Sequence, residues 1–258
     1  MSYQYFYLIH IQYLGFRFHG WAKQPHLKTV HSMLDKTMEY VLGHSNFKTM
    51  GCSRTDSMVS AHHSAFELFV NEPQHLEELL KVINSNFPPD MKAVKVEQVD
   101  KSFNIINTPK TKEYLYLFCF SMKPHPFTAP LMMSFEENLD IDLMQKGAKL
   151  FEGTHNFKSY CTKPSANTNF IRTIDCSEIV ENDIYTANFF PPKSYLYRIR
   201  SKGFMRNQIR LMMGQLVRLG KGEITIKALA ESLNGSAEEA LHFIAPASGL
   251  ILQEVGFD

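Results

Sequence analysis

At the start of the chain, aromatic and apolar residues alternate with polar or mixed ones. Tyr3, Tyr5, Tyr7, Ile9 and Ile11 fall on every second residue, which predicts a strand with one face toward a core. After a loop through Tyr13–Trp21 the period changes. Val30, Met33, Leu34, Thr37, Met38 and Val41 recur at helical spacing, with Thr29 as N-cap and Gly43 as the stop. Ala65–Val70 reads as a strand. Leu76, Leu79, Leu80 and Ile83 give a second helix, closed by Asn84 to Pro89, and Met91–Val99 alternates again. The first hundred residues therefore predict β-α-β-α-β.

The second half has the same grammar. Tyr114–Phe120 is an apolar strand, and Pro124, Pro126 and Pro130 punctuate a loop. Ile141, Met144, Ala148 and Phe151 share a helix face. Strands are predicted near Phe170–Glu181 and at Tyr195–Ser201, and a helix from about Met205 to Leu219. A shorter helix carries Ile226, Leu229, Ala230 and Leu233, and Gly249–Val255 closes the chain as a strand. Strands and helices mix without strict βαβ alternation, which favours α+β over a doubly wound sheet. Two lobes are expected, residues 1–105 and 106–258, with no internal repeat and no Gly/Ser linker between them.

At 258 residues the chain can bury a sizeable core. No apolar run is long enough to span a bilayer. The residues from Met1 to His10 lack a basic n-region and a cleavage pattern, so no signal peptide is expected. Cys52, Cys119, Cys161 and Cys176 are scattered, which fits reduced cytoplasmic thiols better than a disulfide framework or a zinc site. His62-His63 reads as ordinary, because neighbours on a strand point to opposite faces and no ligand cluster accompanies them. Trp21 could stack on a base or hold its loop together.

A net charge of +1 is uninformative, but its distribution is not. From Ile184 to Gly222 there is no Asp or Glu, while Lys193, Arg198, Arg200, Lys202, Arg206, Arg210, Arg218 and Lys221 are present. In Tyr195–Lys202 the side chains of Arg198, Arg200 and Lys202 share a strand face, a pattern suited to an RNA backbone. Arg206 and Arg210 follow at i, i+4, expected on one side of the next helix. The bland alternative is a solvated face balanced by acids elsewhere.

Ser53-Arg54-Thr55-Asp56 lies between two apolar segments. A carboxylate beside an arginine in such a connection is how a nucleophilic aspartate is commonly presented. On these four residues alone, an Asx-type turn or helix cap at Asp56 with Arg54 as a surface charge is the better reading.

The chain as a whole resembles the tRNA pseudouridine synthase A (TruA) family. Six segments match its motifs in order: Tyr13-Leu14-Gly15-Phe16-Arg17-Phe18-His19-Gly20-Trp21 with Gln24; Ser53-Arg54-Thr55-Asp56, similar to a G-R-T-D segment; Lys112-Glu113-Tyr114-Leu115-Tyr116; Phe151 to Tyr160; Phe204 to Arg210 with Met213-Gly214; and Ala245 to Leu252. The resemblance implies two α+β lobes on a central, mostly antiparallel sheet with flanking helices and a basic cleft between the lobes. It implies isomerisation of specific tRNA uridines to pseudouridine, commonly in the anticodon arm, by a homodimer with no metal and no organic cofactor. By position, Asp56 would be the nucleophile, Tyr114 would pack on the target base, Arg210 would pair with Asp56, and Arg54 would hold the displaced nucleotide or a phosphate. Arg198, Arg200, Lys202 and Arg206 are then candidates for the RNA backbone.

The chain also departs from the family pattern. Leu14 stands where Asp is usual, Ser53 where Gly is usual, Ser57-Met58 where Ala-Gly follows the aspartate, and Ser60 where His is common; Ile106 sits near an often basic position. Met58 adds bulk and removes a flexible backbone position beside the candidate nucleophile. The departures leave open a different target uridine, or a protein that binds and remodels RNA without catalysis.

Overall fold

The computed structural model describes residues 3–108, 111–235 and 241–257, and the chain divides into two compact units. The first holds residues 1–110 and takes back 252–258; the second holds 111–251. Ile105 is fully buried, and its N–H donates to the Glu67 carboxylate at 3.1 Å.

The first unit opens with β1 (Tyr5–Tyr13), then α1 (Val30–Leu42), β2 (Lys48–Gly51), β3 (Ser60–Val70), α2 (Leu76–Asn86) and β4 (Met91–Val99). β1 lies antiparallel between β3 and β4, and β2 pairs antiparallel with β3. α1 is bounded as its sequence predicts. Thr29 and Ser32 bond reciprocally in a capping box, and Gly43 closes the helix at φ 72°. The expected one-sided alternation of β1 is not what is found: Phe6, Leu8 and His10 are buried as well as Tyr7, Ile9 and Ile11. On the Tyr7 face, α1 and α2 contribute Leu34, Met38, Leu79 and Ile83, and the Tyr7 hydroxyl accepts from Gln74 N–H at 2.8 Å. On the His10 face, Phe257 packs edge-on to His10, Phe103 packs on Phe257, and Ile105 docks at Glu67. A strand covered on both faces loses its period-2 signal.

Glu67 lies on that second face, 1 % exposed, with Oε1 lacking a hydrogen-bond partner among the described residues. Burial pushes its carboxyl above the usual range, against the opposing Ile105 N–H and the more distant Lys48 charge. The folded state therefore holds this proton to higher pH than the unfolded chain. Its stabilising contribution is complete below the unfolded value and is lost as pH rises through the folded one. Denaturant melts from pH 4 to 8 are expected to show wild type losing stability relative to Glu67→Gln as pH rises. Parallel curves would rule this out.

The second unit runs β5 (Lys112–Phe120), β6 (Met133–Phe135), α3 (Ile141–Lys149), β7 (Gly153–Asn156), β8 (Ile171–Ile174), β9 (Cys176–Glu181), β10 (Tyr195–Ser201), α4 (Gln208–Gly220), α5 (Ile226–Glu231) and the start of β11 (Leu250–Val255). β10 lies antiparallel between β5 and β9, β6 runs parallel to β5, and β7 with β8 forms a separate antiparallel pair. The strand expected over Phe170–Glu181 is thus two strands in two sheets, broken at Asp175, whose N–H donates to Arg200 O at 2.8 Å. The architecture is α+β and mostly antiparallel.

α4 is buried around nearly its whole circumference. Gly214 allows this, since a Cβ there would lie 2.2 Å from the Phe243 carbonyl oxygen. The helix begins at Gln208 rather than Met205, because Asn207 takes a left-handed φ of 59° and the Gln208 side chain accepts from Met205 N–H. Arg206 consequently lies outside the helix, and the expected shared helical face with Arg210 does not form.

Candidate active site

In the first unit the Asp56 segment is clamped by the loop after β1. Tyr13 Oη and Thr55 Oγ1 are hydrogen-bonded at 2.9 Å, and Thr55 O accepts from Trp21 N–H at 3.0 Å. Phe18 O accepts from Met58 N–H at 3.1 Å and from Ser57 Oγ at 3.2 Å, and Ser60 Oγ accepts from Gly15 N–H at 2.9 Å. Gly20, at φ 86°, lets the two loops touch: a Cβ there would meet Thr55 O at 2.9 Å. Trp21 is 3 % exposed and lies flat against Gly51, so it is a structural wedge and not a base-stacking surface. Ser60, where the family often has His, spends its hydroxyl on this clamp. Cys52 is a buried packing residue whose sulfur accepts from Ala65 N–H at 3.3 Å.

The turn itself explains one departure. Val59 N–H donates to Asp56 O at 3.3 Å, closing a four-residue turn with Met58 third, at φ 67°. Positive φ at the third position is the signature of a type II turn and favours glycine. The chain keeps the turn despite the methionine. A side chain in the left-handed region costs about 1–2 kcal/mol, and glycine loses about 0.5–1 kcal/mol more backbone entropy on folding. Met58→Gly is therefore expected to stabilise the protein by about 0.5–1 kcal/mol in denaturant melts. A destabilised variant would mean that Met58 packing outweighs the strain.

In the second unit Tyr114 is 6 % exposed on β5, with the Phe204 ring edge-on at 5.5 Å. Arg210 lies in the first turn of α4. Its Nε donates to Ala245 O at 2.7 Å, one terminal nitrogen donates to Asn207 Oδ1 at 3.2 Å, and Ala245 N–H donates back to Arg210 O at 3.1 Å. Two residues along β5 from Tyr114, Tyr116 donates its hydroxyl proton to Pro246 O at 2.8 Å. Its burial raises the phenol far above the usual range, only partly opposed by the Arg210 charge, so Tyr116 stays neutral. The Ala245–Gly249 motif is thus a buttress for the arginine and the strand. Phe204, Asn207 and Tyr116 were not singled out from the sequence; their signal was position, i−3 from Arg210 and i+2 from Tyr114.

The basic residues differ in their surroundings. Arg200, Lys202, Arg206 and, in the first unit, Arg54 are exposed. Arg198 is half-buried, with Nε 3.8 Å from a Glu113 carboxylate oxygen and a terminal nitrogen 3.4 Å from Glu178. Neighbouring strands place acids beside it, so the shared basic face of β10 is interrupted at Arg198. The Phe151–Tyr160 motif is largely core: Phe151, Phe157 and Tyr160 are fully buried in mutual ring contact, and His155 donates to Glu152 O at 2.7 Å. An open hollow of about 440 Å³ beside this motif, lined by Thr154, His155, Asn156 and Asn234, contains neither Tyr114 nor Arg210.

His63 faces a partner the sequence did not indicate. His63 Nε2 and His10 Nδ1 are 2.8 Å apart, and His10 Nε2 lies 2.7 Å from Glu97. Among the described residues no group of three or more His, Cys, Asp or Glu could hold a metal ion, and no helix is long and apolar enough to cross a membrane.

Comparison with known proteins agrees with this arrangement of motifs. A family model described as tRNA pseudouridine synthase matches residues 148–258. A tRNA pseudouridine synthase A from Thermodesulfovibrio yellowstonii is 27 % identical over 247 residues, covering 95 % of this chain and 96 % of the relative. The protein of that name from Aquifex aeolicus is 29 % identical, covering 96 % and 98 %. The chain is similar over nearly its whole length to proteins named tRNA pseudouridine synthase A. A further relative, tRNA pseudouridine synthase A 2 from Bacillus cereus, is 27 % identical, covering 97 % of this chain and 99 % of the relative. The correspondence runs through both units, so the Asp56 loop and the Tyr114 and Arg210 elements all fall within it.

Proposed function

We propose that this chain is an isomerase that converts uridine to pseudouridine in tRNA. The observation that carries the reading is the near full-length correspondence to synthases of that name. The reaction breaks the C1′–N1 glycosidic bond, turns the uracil and forms a C1′–C5 bond, with the C5 proton lost and one proton taken up at N1. Atoms and electrons balance without an oxidant or co-substrate.

We assign Asp56 as the nucleophile, attacking either the sugar C1′ or the base C6. Arg210 supplies the balancing positive charge, held in place by Ala245 and Asn207. Tyr114 presents its ring to the freed base, with Phe204 fixing its orientation. Arg54, Arg200, Lys202 and Arg206 contact phosphates. Their support is exposure and charge. The target lies in the anticodon stem-loop, where flipping a base out costs less than in a stem. The protein acts as a homodimer in the cytoplasm, a reading supported by the family and by four free cysteines. Burial raises the Cys119, Cys161 and Cys176 thiols, which favours their neutral form.

RNA binding without catalysis would be favoured by a distorted nucleophile loop. Met58 instead preserves the turn, so this alternative has no structural support. The test is incubation with tRNA lacking modifications, mapping pseudouridine by chemical labelling and primer extension. One or few modified positions are expected; none across a broad tRNA pool would overturn the assignment.

A further inference from the structure

In the second unit, two loops bring four aromatic rings together at the surface. Phe127 is 69 % exposed. Its ring lies 4.7 Å from His125 and 5.8 Å from Phe189, and Phe189 lies 5.5 Å from Phe190. Phe190 packs against the buried Leu115, Leu117 and Leu196 cluster and so anchors the group to the core. His125 and Phe127 are exposed while Phe189 and Phe190 are half-buried, and a ring as exposed as Phe127 adds little to folding stability, so its place in the cluster calls for a partner.

The surface is rigid before any partner arrives. Pro124, Pro126 and Pro130 stiffen one loop, and Pro191-Pro192 the other. Buried Thr128 donates its hydroxyl proton to His125 O at 2.8 Å, and Phe127 N–H donates to His125 Nδ1 at 3.2 Å. Little side-chain and loop entropy then remains to be lost on binding.

Charge selects the partner. Neither Tyr114–Phe135 nor Ile184–Gly222 contains an Asp or Glu, while Lys123 and Lys193 flank the rings. Lys193 Nζ lies 5.5 Å from the Tyr195 ring centroid, and Tyr195, then Glu181 of β9 and Asp142 of α3, raise its pKa. Exposed aromatic faces bordered by lysine suit unpaired bases, which stack on the rings while their phosphates meet the ammonium groups.

We propose that the Phe127–Phe189 surface is a stacking platform for unpaired nucleotides of the RNA substrate, with Lys123 and Lys193 holding the adjoining phosphates. This deepens the tRNA reading above and rests on it. The platform binds and positions RNA; it takes no part in the bond changes.

The test uses the full-length protein and unmodified tRNA. Phe127→Ala, alone and with Phe189→Ala, is expected to raise KM about ten-fold with kcat unchanged and an unaltered melting curve, the size expected for one lost stacked base. Phe127→Tyr restores KM, and Phe127→Trp shows indole emission quenched on adding tRNA or a single-stranded oligonucleotide. Unchanged KM and RNA affinity in the double variant would overturn the platform while leaving the isomerase intact. Dissociation of a dimer by Phe127→Ala, with RNA affinity unaltered, would assign the surface to a second copy and also overturn it. If wild type makes no pseudouridine, the isomerase reading falls, and the quenching and affinity measurements still decide the platform.

Discussion

Asp56→Ala is expected to abolish pseudouridine formation while leaving the protein folded and able to bind tRNA. The substitution removes one half-buried carboxylate and keeps the backbone. The Asp56 carbonyl still accepts from Val59 N–H, and the clamp from Tyr13, Phe18 and Trp21 acts on Thr55, Ser57 and Met58. Loss of a nucleophile removes the chemical path rather than a fraction of binding, so the single-turnover rate should fall by at least about a thousand-fold. Asp56→Asn keeps the shape without the charge and should fail equally. The tRNA dissociation constant should stay within a few-fold of wild type in a filter-binding assay. An Asp56→Ala rate within ten-fold of wild type would remove Asp56 from the role of nucleophile. An inactive variant with lost tRNA affinity would point to a structural role instead.

Trp21→Ala should be the most damaging single truncation in the first unit. The indole is nearly fully buried against the Gly51 backbone, 6.1 Å from the Tyr13 and His31 rings. His31 is tied to the same cluster through Thr49 Oγ1 at 2.8 Å, and burial lowers its pKa below the usual imidazole value. Truncation leaves the backbone bonds of residue 21 intact and opens a cavity, which typically costs about 3–5 kcal/mol for an aromatic side chain. For a chain of this length that corresponds to a melting temperature lower by about 10 °C. Because the indole supports the loop whose backbone N–H holds Thr55 O, catalysis should also fall when assayed well below the melting point. A loss under about 1 kcal/mol, with full activity, would show that the wedge is dispensable.

Particular elements show how far the sequence can be read. Val30–Leu42 was legible at both ends because its signals are local: a capping threonine, a 3.6-residue apolar period and a glycine stop. Met91–Val99 and Tyr195–Ser201 were legible for the same reason. The short β2, β6 and β7, of three or four residues, carry too few positions to establish a period. Phe170–Glu181 looked continuous because both halves have strand composition, yet they pair with different partners.

The candidate site divides along the same line. The sequence alone, through ordered motifs, picked out Asp56, Tyr114 and Arg210 and marked Met58 as a departure from glycine. It also determined which β10 side chains share a face, since strand period is a backbone property. Only the tertiary structure decided that Glu113 and Glu178 lie beside Arg198, that Met58 occupies a left-handed turn position, that Trp21 is a wedge, and that Arg206 lies outside the α4 helix. Periodicity and capping act within a few residues and can be read along the chain; neighbours from distant segments, and the backbone angles they enforce, exist only once the chain has packed.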